Sequence, residues 1–153
     1  MDSKKIISTL LADLKSYVDD NTVVFETYRM LPQDLEMREN IPRARVAICH
    51  GAETDIIKVG AGKPADSRQA YLIDISVLKA YRNDDGSKGE LPALDLRDDV
   101  VKWSQGVDAF HVTGGQLHSF EYEGSTPFFR NKKYVTLTLS FSGFRDLVRG
   151  GID

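Results

Sequence analysis

The residues best placed by type and spacing to do chemistry are three aspartates, Asp95, Asp98 and Asp99, in a segment that predicts a helix. Two-metal hydrolases need carboxylate clusters of this kind, together with ligands from other elements. The three histidines of the chain show no metal-binding spacing. The alternative interpretation is that these aspartates lie on a solvent-exposed helix face, since acidic residues are favoured in the N-terminal half of a helix. A metal-dependent hydrolase therefore stays as an alternative, and we predict no enzymatic activity and no metal.

A glycine-rich stretch, residues 60–65, matches the dinucleotide-binding pattern G-x-G-x-x-A. Such a site needs a helix directly after the glycines, because the N-terminal N–H groups of that helix hold the pyrophosphate. Here the next strand begins too soon for a crossover helix. A P-loop fails as well, since Pro64 stands where Ser or Thr is required. The stretch therefore predicts a surface loop and no nucleotide cofactor.

Cys49 and His50 are adjacent and could suggest a nucleophile with its base. In an extended chain neighbouring side chains point to opposite faces, which argues against that pair. We expect Cys49 to be a small buried residue. As the single cysteine it cannot form an intrachain disulfide, which fits a reducing compartment.

Length and composition indicate one domain over residues 1–153, with 41% hydrophobic residues and a net charge of −3. The apolar content excludes a disordered chain. The small net charge argues against a protein that binds nucleic acid over its whole surface. No apolar stretch approaches the length of about 20 residues that a membrane helix needs. We therefore expect a cytoplasmic protein with no membrane partner.

Two segments predict helices. Residues 3–18 carry apolar side chains at three- and four-residue spacing. Residues 91–104 form the second helix, with Pro92 acceptable in its first turn. The segment 30–42 reads as a polar connector, and 60–68 and 83–90 read as loops.

Seven segments predict strands by their β-branched and alternating residues: 22–28, 43–49, 55–59, 69–82, 109–113, 116–123 and 133–141. Residues 50–54 are expected to form a hairpin loop, and Gly114 and Gly115 a two-residue hairpin turn. The expected fold is α+β, with a largely antiparallel or mixed β-sheet packed by two α-helices.

Alternation in the long strand 69–82 separates a core face from a mixed face. The expected core residues are Tyr71, Ile73, Ile75 and Val77, matched in the last strand by Val135, Leu137, Leu139 and Phe141. The other face includes Asp74 and Ser76. This face is expected either to be half solvated or to meet another subunit.

Phe128 and Phe129 lie in an expected loop and are followed by Arg130 and Lys132. An aromatic pair beside cations is typical of a protein–protein anchor. It could instead stack on a nucleic-acid base, the weakest alternative at this net charge. A third possibility is that one or both rings fold back and cap the sheet. The interface candidates are thus Asp74, Ser76 and these four residues.

The order of elements resembles that of the tail terminator, or tail completion, proteins of long-tailed bacteriophages. The order comprises an N-terminal amphipathic helix, a strand, a Pro-containing connector and a short hairpin. A long strand ending in the residues VLKAYR at 77–82 follows, then an acidic helix, a Gly-Gly hairpin and the strand over 134–141. The resemblance covers nearly the whole chain and includes no signature motif.

This resemblance implies a structural virion protein, made in the host cytoplasm, that assembles as a hexameric ring on the tail tube. The ring would stop tube polymerisation and join the tail to the head connector. The tail tube protein, the connector and further copies of the chain are the implied partners. At least one of the loops 60–68 and 83–90 is expected to contact the tube or connector. A neck or head–tail joining protein and a monomeric adaptor domain remain alternatives.

Overall fold

The computed structural model describes residues 3–38, 43–59, 63–81, 86, 88–130 and 132–147. In chain order the elements are α1 (Ser3–Val18), β1 (Val23–Glu26), α2 (Pro32–Met37), β2 (Ala44–Val59), β3 (Lys63–Leu78), α3 (Glu90–Gly106), α4 (Ala109–Val112), β4 (Leu117–Ser125), β5 (Phe129–Arg130) and β6 (Tyr134–Asp146).

The strands form one mixed sheet in the order β1-β2-β3-β6-β4, and the short β5 also pairs with β6. β1 runs parallel to β2, and every other pairing is antiparallel. A parallel pair needs a crossover connection, which residues 27–43 supply. The predicted α+β class and the mixed sheet are therefore confirmed.

One face of the sheet, the core face, packs against α1 and α3. The apolar stripe of α1 is buried there at Ile6, Ile7, Leu10 and Leu14, as the periodicity predicted. The predicted core rows are confirmed as well, with exposed fractions of 0–2% for Tyr71, Ile73, Ile75, Val77, Val135, Leu137, Leu139 and Phe141. The opposite side, called the second face below, carries the alternate residues of the same strands.

The two long helices are tied to each other and to the sheet through Trp103. Its indole Nε1 donates a 2.8 Å hydrogen bond to Asp13 of α1. Its ring meets Phe120 of β4 edge to face at 5.7 Å, and Phe120 stacks on Phe141 at 5.3 Å. The core thus extends from α1 through α3 to β4.

The predicted hairpin loop at residues 50–54 is wrong, because β2 continues through it to Val59. The long strand β3 supplies backbone partners along this stretch, and register shifts after His50 and Thr54 absorb the irregular residues. Gly51 has a packing role: a Cβ there would lie 2.9 Å from the Cβ of Ala70.

The predicted loop 60–68 is also largely wrong, since β3 begins at Lys63. Residues 60–62 lie outside the described residues. β2 and β3 pair antiparallel as far as Val59 and Lys63, so the two strands of this hairpin extend well beyond the predicted loop at 50–54.

The predicted strand 109–113 is wrong, because these residues form α4 and its end. Asp108 caps this helix by accepting a 3.0 Å bond from the backbone N–H of His111, and the Thr113 hydroxyl donates to the Ala109 carbonyl. Gly114 and Gly115 do adopt positive φ, at 63° and 85°. They join α4 to β4 and make no hairpin.

The connector 30–42 contains the short helix α2, which the sequence reading missed. A signal was present, since Pro32 stands at a favoured helix start ahead of Asp34. Half of the predicted loop 83–90, residues 83–85 and 87, lies outside the described residues, and Glu90 begins α3.

Candidate protein-interaction surfaces

On the second face, the interface candidates Asp74 and Ser76 are bonded within the chain. The Asp74 carboxylate accepts hydrogen bonds from Arg29 Nε at 2.8 Å and Nη2 at 3.0 Å, and from Thr138 Oγ1 at 2.6 Å. The Ser76 hydroxyl lies 3.0 Å from that of Thr136. Asp74 is 7% exposed and Ser76 1%. Neither residue is therefore presented at the surface of the subunit.

Residues 27–38 lie across the second face, which is why those candidates are buried. Arg29 reaches Asp74 from this segment, and the Tyr28 carbonyl accepts a bond from Arg45 of β2. Further along, Leu35 of α2 packs with Tyr134 in a small second apolar cluster. The segment thus spans the sheet from β1 to β6.

Glu26 is the charged centre that holds this segment. Arg45 donates from Nε to its carboxylate at 2.6 Å, and Arg38 pairs with the same oxygen. Burial alone would favour the neutral acid, but hydrogen bonds from Arg38, Tyr28 and Arg45 keep the pKa of Glu26 below its ordinary value. The carboxylate is therefore charged at neutral pH.

The structure separates the two aromatic candidates. Phe128 packs against the main core, and the Arg130 guanidinium lies 5.9 Å from its ring while pairing with Glu90 of α3. Phe129 pairs with Thr136 of β6, on the second face, and is 53% exposed. The alternative in which a ring folds back on the sheet is thus realised for Phe128.

Exposed apolar side chains from α2, from its N-cap residue and from β5 lie on the second face. Lys132 N–H donates to the Glu36 carboxylate at 2.8 Å, which ties α2 to the turn after β5. Leu31 and Met37 are 60% and 81% exposed. We call Leu31, Met37 and Phe129 the open-face patch. Its aliphatic members were missed because they lie in a segment that reads as polar.

The hairpin of β2 and β3 carries a second, separate apolar surface. β1 pairs only with residues 44–47, so within the described chain the outer edge of β2 bears no strand beyond that point. Ile56 and Ile57 lie in this distal part and are 52% and 49% exposed. Both faces of the strand are therefore exposed there. We call residues 53–59 of β2 with 63–69 of β3 the arm.

The aspartates of α3 stand on a solvated helix face. Asp98 and Asp99 are exposed, and Asp98 pairs with its neighbour Arg97 at 3.0 Å. Although the residue as a whole is exposed, partial desolvation of its carboxyl group, and to a smaller degree the charges of Asp95 and Asp98, raises the pKa of Asp99. Among the described residues, no three His, Cys, Asp or Glu side chains are grouped so as to hold a metal ion.

Cys49 and His50 point to opposite faces, as the extended chain predicts. The His50 ring lies 5.6 Å from Tyr71 on the core face. The Cys49 thiol lies 3.6 Å from the Leu72 carbonyl, and burial raises its pKa. They do not form a nucleophile–base pair.

Open cavities formed by the described residues include two beside the sheet. One, of about 490 Å³, lies between the start of α1 and β2 and is lined by Lys4, Lys5, Ile7, Ser8, Thr27 and His50. The other, of about 390 Å³, lies between the end of α3 and β4 and is lined by Ser104, Gln105, Val107, Phe120, Glu121 and Tyr122. We call the second one the groove.

No protein-family model matches the chain, and comparison with curated proteins finds no similar sequence. None of the helices in the described parts of the chain combines the length and apolar character needed to cross a bilayer.

Proposed function

We propose that this chain is a structural subunit of a phage tail, a terminator that forms a ring on the tail tube and receives the head connector. The parts of the resembling element order that the fold retains suggest this role: the N-terminal amphipathic helix, the long strand β3, the acidic helix α3 and the last strand β6. Its short hairpin and its Gly-Gly hairpin do not form and lend no support. The observation that carries the proposal is the presence of two different exposed apolar surfaces, the open-face patch and the arm. Exposed apolar clusters commonly mark interaction sites.

A ring needs heterologous contacts, in which each copy offers two different surfaces to its two neighbours. The strand order supports such a contact here, because β1 and β2 lie at one end of the sheet and β4 at the other. Copies that join through these two ends leave the second face available for an axial partner. We therefore assign the open-face patch to the tail tube protein or the connector.

The patch has the chemistry of an anchor. Phe129 and Met37 are of residue types enriched in interface cores, and Phe129 has the exposure needed to bury a ring on docking. Arg29, half exposed although it pairs with Asp74, and exposed Lys132 supply cations in the segments that carry the patch. An aromatic anchor of this kind is worth about 2 kcal/mol, or about 30-fold in Kd.

Electron microscopy and light scattering of the protein, alone and mixed with tail tubes of the same particle, test the proposal. We expect rings that bind tube ends and stop tube growth. A protein that stays monomeric at all concentrations and leaves tube ends bare and growing would contradict it.

Phe129→Ala tests the patch. We expect about 30-fold weaker binding to the tube or connector and a change in unfolding free energy within about 0.5 kcal/mol. Tyr17→Ala is the matched control, since Tyr17 is an aromatic of 52% exposure on α1. Phe128 is left intact because it packs on the core. Equal binding by the two variants would refute this assignment.

A further inference from the structure

We call residues 27–38, which lie across the second face, the strap. Among its described side chains only Leu35 is buried, and it packs with Tyr134 in the small second apolar cluster. Within the described chain no backbone–backbone hydrogen bond joins residues 28–38 to a strand, and α2 packs loosely on the other elements. A segment that buries so little apolar surface has a low local stability compared with the main core.

Charged and polar contacts hold the strap in place. Arg29 donates two hydrogen bonds to Asp74, yet its own side chain is 51% exposed, so water competes with this pair. The Glu36 carboxylate accepts a 2.8 Å bond from the exposed Lys132 N–H. Together with the pairs made by Glu26, these contacts fix the position of the strap. Solvent and salt weaken such contacts more readily than they weaken a packed apolar core.

The sheet beneath the strap keeps its own hydrogen bonds when the strap is lifted. Asp74 accepts a 2.6 Å bond from Thr138 Oγ1, and the hydroxyls of Ser76 and Thr136 lie 3.0 Å apart. Arg45 keeps its 2.6 Å bond to the carboxylate of β1. Because this surface is polar, water can solvate the rest of it. Lifting the strap therefore exposes little apolar area beyond the small second cluster.

We propose that the strap opens as a unit while the main core stays folded, and that the closed strap is the form that docks. Leu31 and Met37 belong to the strap, whereas Phe129 belongs to β5, so the closed strap brings all three to the second face. The pair of Arg29 with Asp74, which we call the latch, sets the balance between the open and closed forms. Separate opening is a property of the chain alone, and docking by the closed form rests on the proposed function.

Thiol labelling at two neighbouring positions of β3 tests the opening. In a Cys49→Ser background, Ser76→Cys places a thiol beneath the strap and Val77→Cys places one in the main core, where the native residues are 1% and 0% exposed. When closing is faster than labelling, each rate reports the equilibrium of the opening that exposes the thiol. Ala47→Cys, at a position 0% exposed and opposite Asp74, replaces Ser76→Cys if thermal unfolding shows that variant to be unfolded.

We expect the thiol at position 76 to label at least about tenfold faster than the thiol at position 77. Low concentrations of urea should accelerate labelling at position 77 more steeply, because global unfolding exposes more surface than strap opening does. Equal rates with equal urea dependence would refute separate opening.

Ile6→Val separates the strap from the core by a second route. Ile6 lies in α1, on the core face, and is 1% exposed. The variant should accelerate labelling of Val77→Cys by about fivefold and leave labelling of Ser76→Cys unchanged, because the strap opens without disturbing α1. Equal acceleration at both positions would mean that strap and core form one cooperative unit, which contradicts the proposal.

Arg29→Gln tests the latch. The variant leaves the Asp74 carboxylate, 7% exposed, without its cation in the closed form, so labelling of Ser76→Cys should accelerate about tenfold. Arg97→Gln is the matched control, since Arg97 pairs with exposed Asp98 on α3 and should leave the rate unchanged. Identical rates in these two variants would overturn the latch.

Labelling with tail tubes present connects the strap to the proposed function. A partner that binds only the closed strap should slow labelling of Ser76→Cys about tenfold when free tube ends are at about ten times their Kd. Tubes that bind without slowing the labelling overturn docking by the closed form and leave the terminator role standing. Separate opening in a protein that never binds tubes supports the opening of the strap and overturns the terminator role.

Discussion

Glu26→Gln should destabilise the fold by about 3 kcal/mol. It removes the carboxylate charge that balances Arg45, whose side chain is 2% exposed. Breaking a buried pair by removing one partner costs about 3–5 kcal/mol, and we take the lower end because the amide oxygen still accepts one bond. For a chain of this size, 1 kcal/mol shifts the melting temperature by about 2–4 °C, so a fall of about 6–12 °C is expected.

Two further variants isolate the charge effect. Adding Arg45→Met to Glu26→Gln removes the unbalanced cation, so the double variant should be more stable than the sum of the two single effects implies. Asp98→Asn is the control from an exposed pair, whose side chains are 33% and 56% exposed. It should change stability by less than about 1 kcal/mol.

The destabilisation should depend on pH. The pKa of Glu26 is lowered in the folded protein, so its contribution is present above the unfolded pKa of about 4.3. It is lost as the pH falls through the lowered folded value. Urea unfolding at pH 7, 5 and 3, followed by fluorescence of the single buried Trp103, measures it. A gap between wild type and Glu26→Gln below 0.5 kcal/mol at pH 7, or one that does not narrow at pH 3, would refute the reasoning.

Two more predictions concern the thiol and the sheet. The Cys49 thiol should react with a maleimide at pH 8 more slowly than the thiol of glutathione does, because burial and, to a smaller degree, the charge of Asp74 raise its pKa. The reaction rate should increase when urea unfolds the protein. A rate in the native protein equal to that of glutathione would contradict this. Gly143→Ala should lower the free energy of unfolding by about 1–3 kcal/mol, because the added Cβ would lie 2.8 Å from the side chain of buried Leu117. Gly106→Ala is the control, since a Cβ there meets open space and should not destabilise the fold. Equal melting temperatures for these two variants would contradict the packing argument.

Helices and core rows could be read from the sequence because they depend on local periodicity. The stripe of α1 and the alternation around Ile73 follow from which residues repeat at helical or strand spacing. The positions of the turns could not be predicted from local periodicity. The residues 50–54 have turn-like composition, yet they lie in β2 because β3 is long enough to bond them across the hairpin.

The candidate interaction surfaces likewise combine features that the local sequence predicts with features that depend on tertiary contacts. By itself the sequence determined that Phe128 and Phe129 stand beside cations and that Asp74 faces away from the core. Only the tertiary structure decided that Phe128 is partly buried against the core, that Phe129 is exposed on the second face, and that Arg29 covers Asp74. The physical reason is that these contacts join residues far apart in the chain, and packing and charge pairing across that separation leave no local pattern.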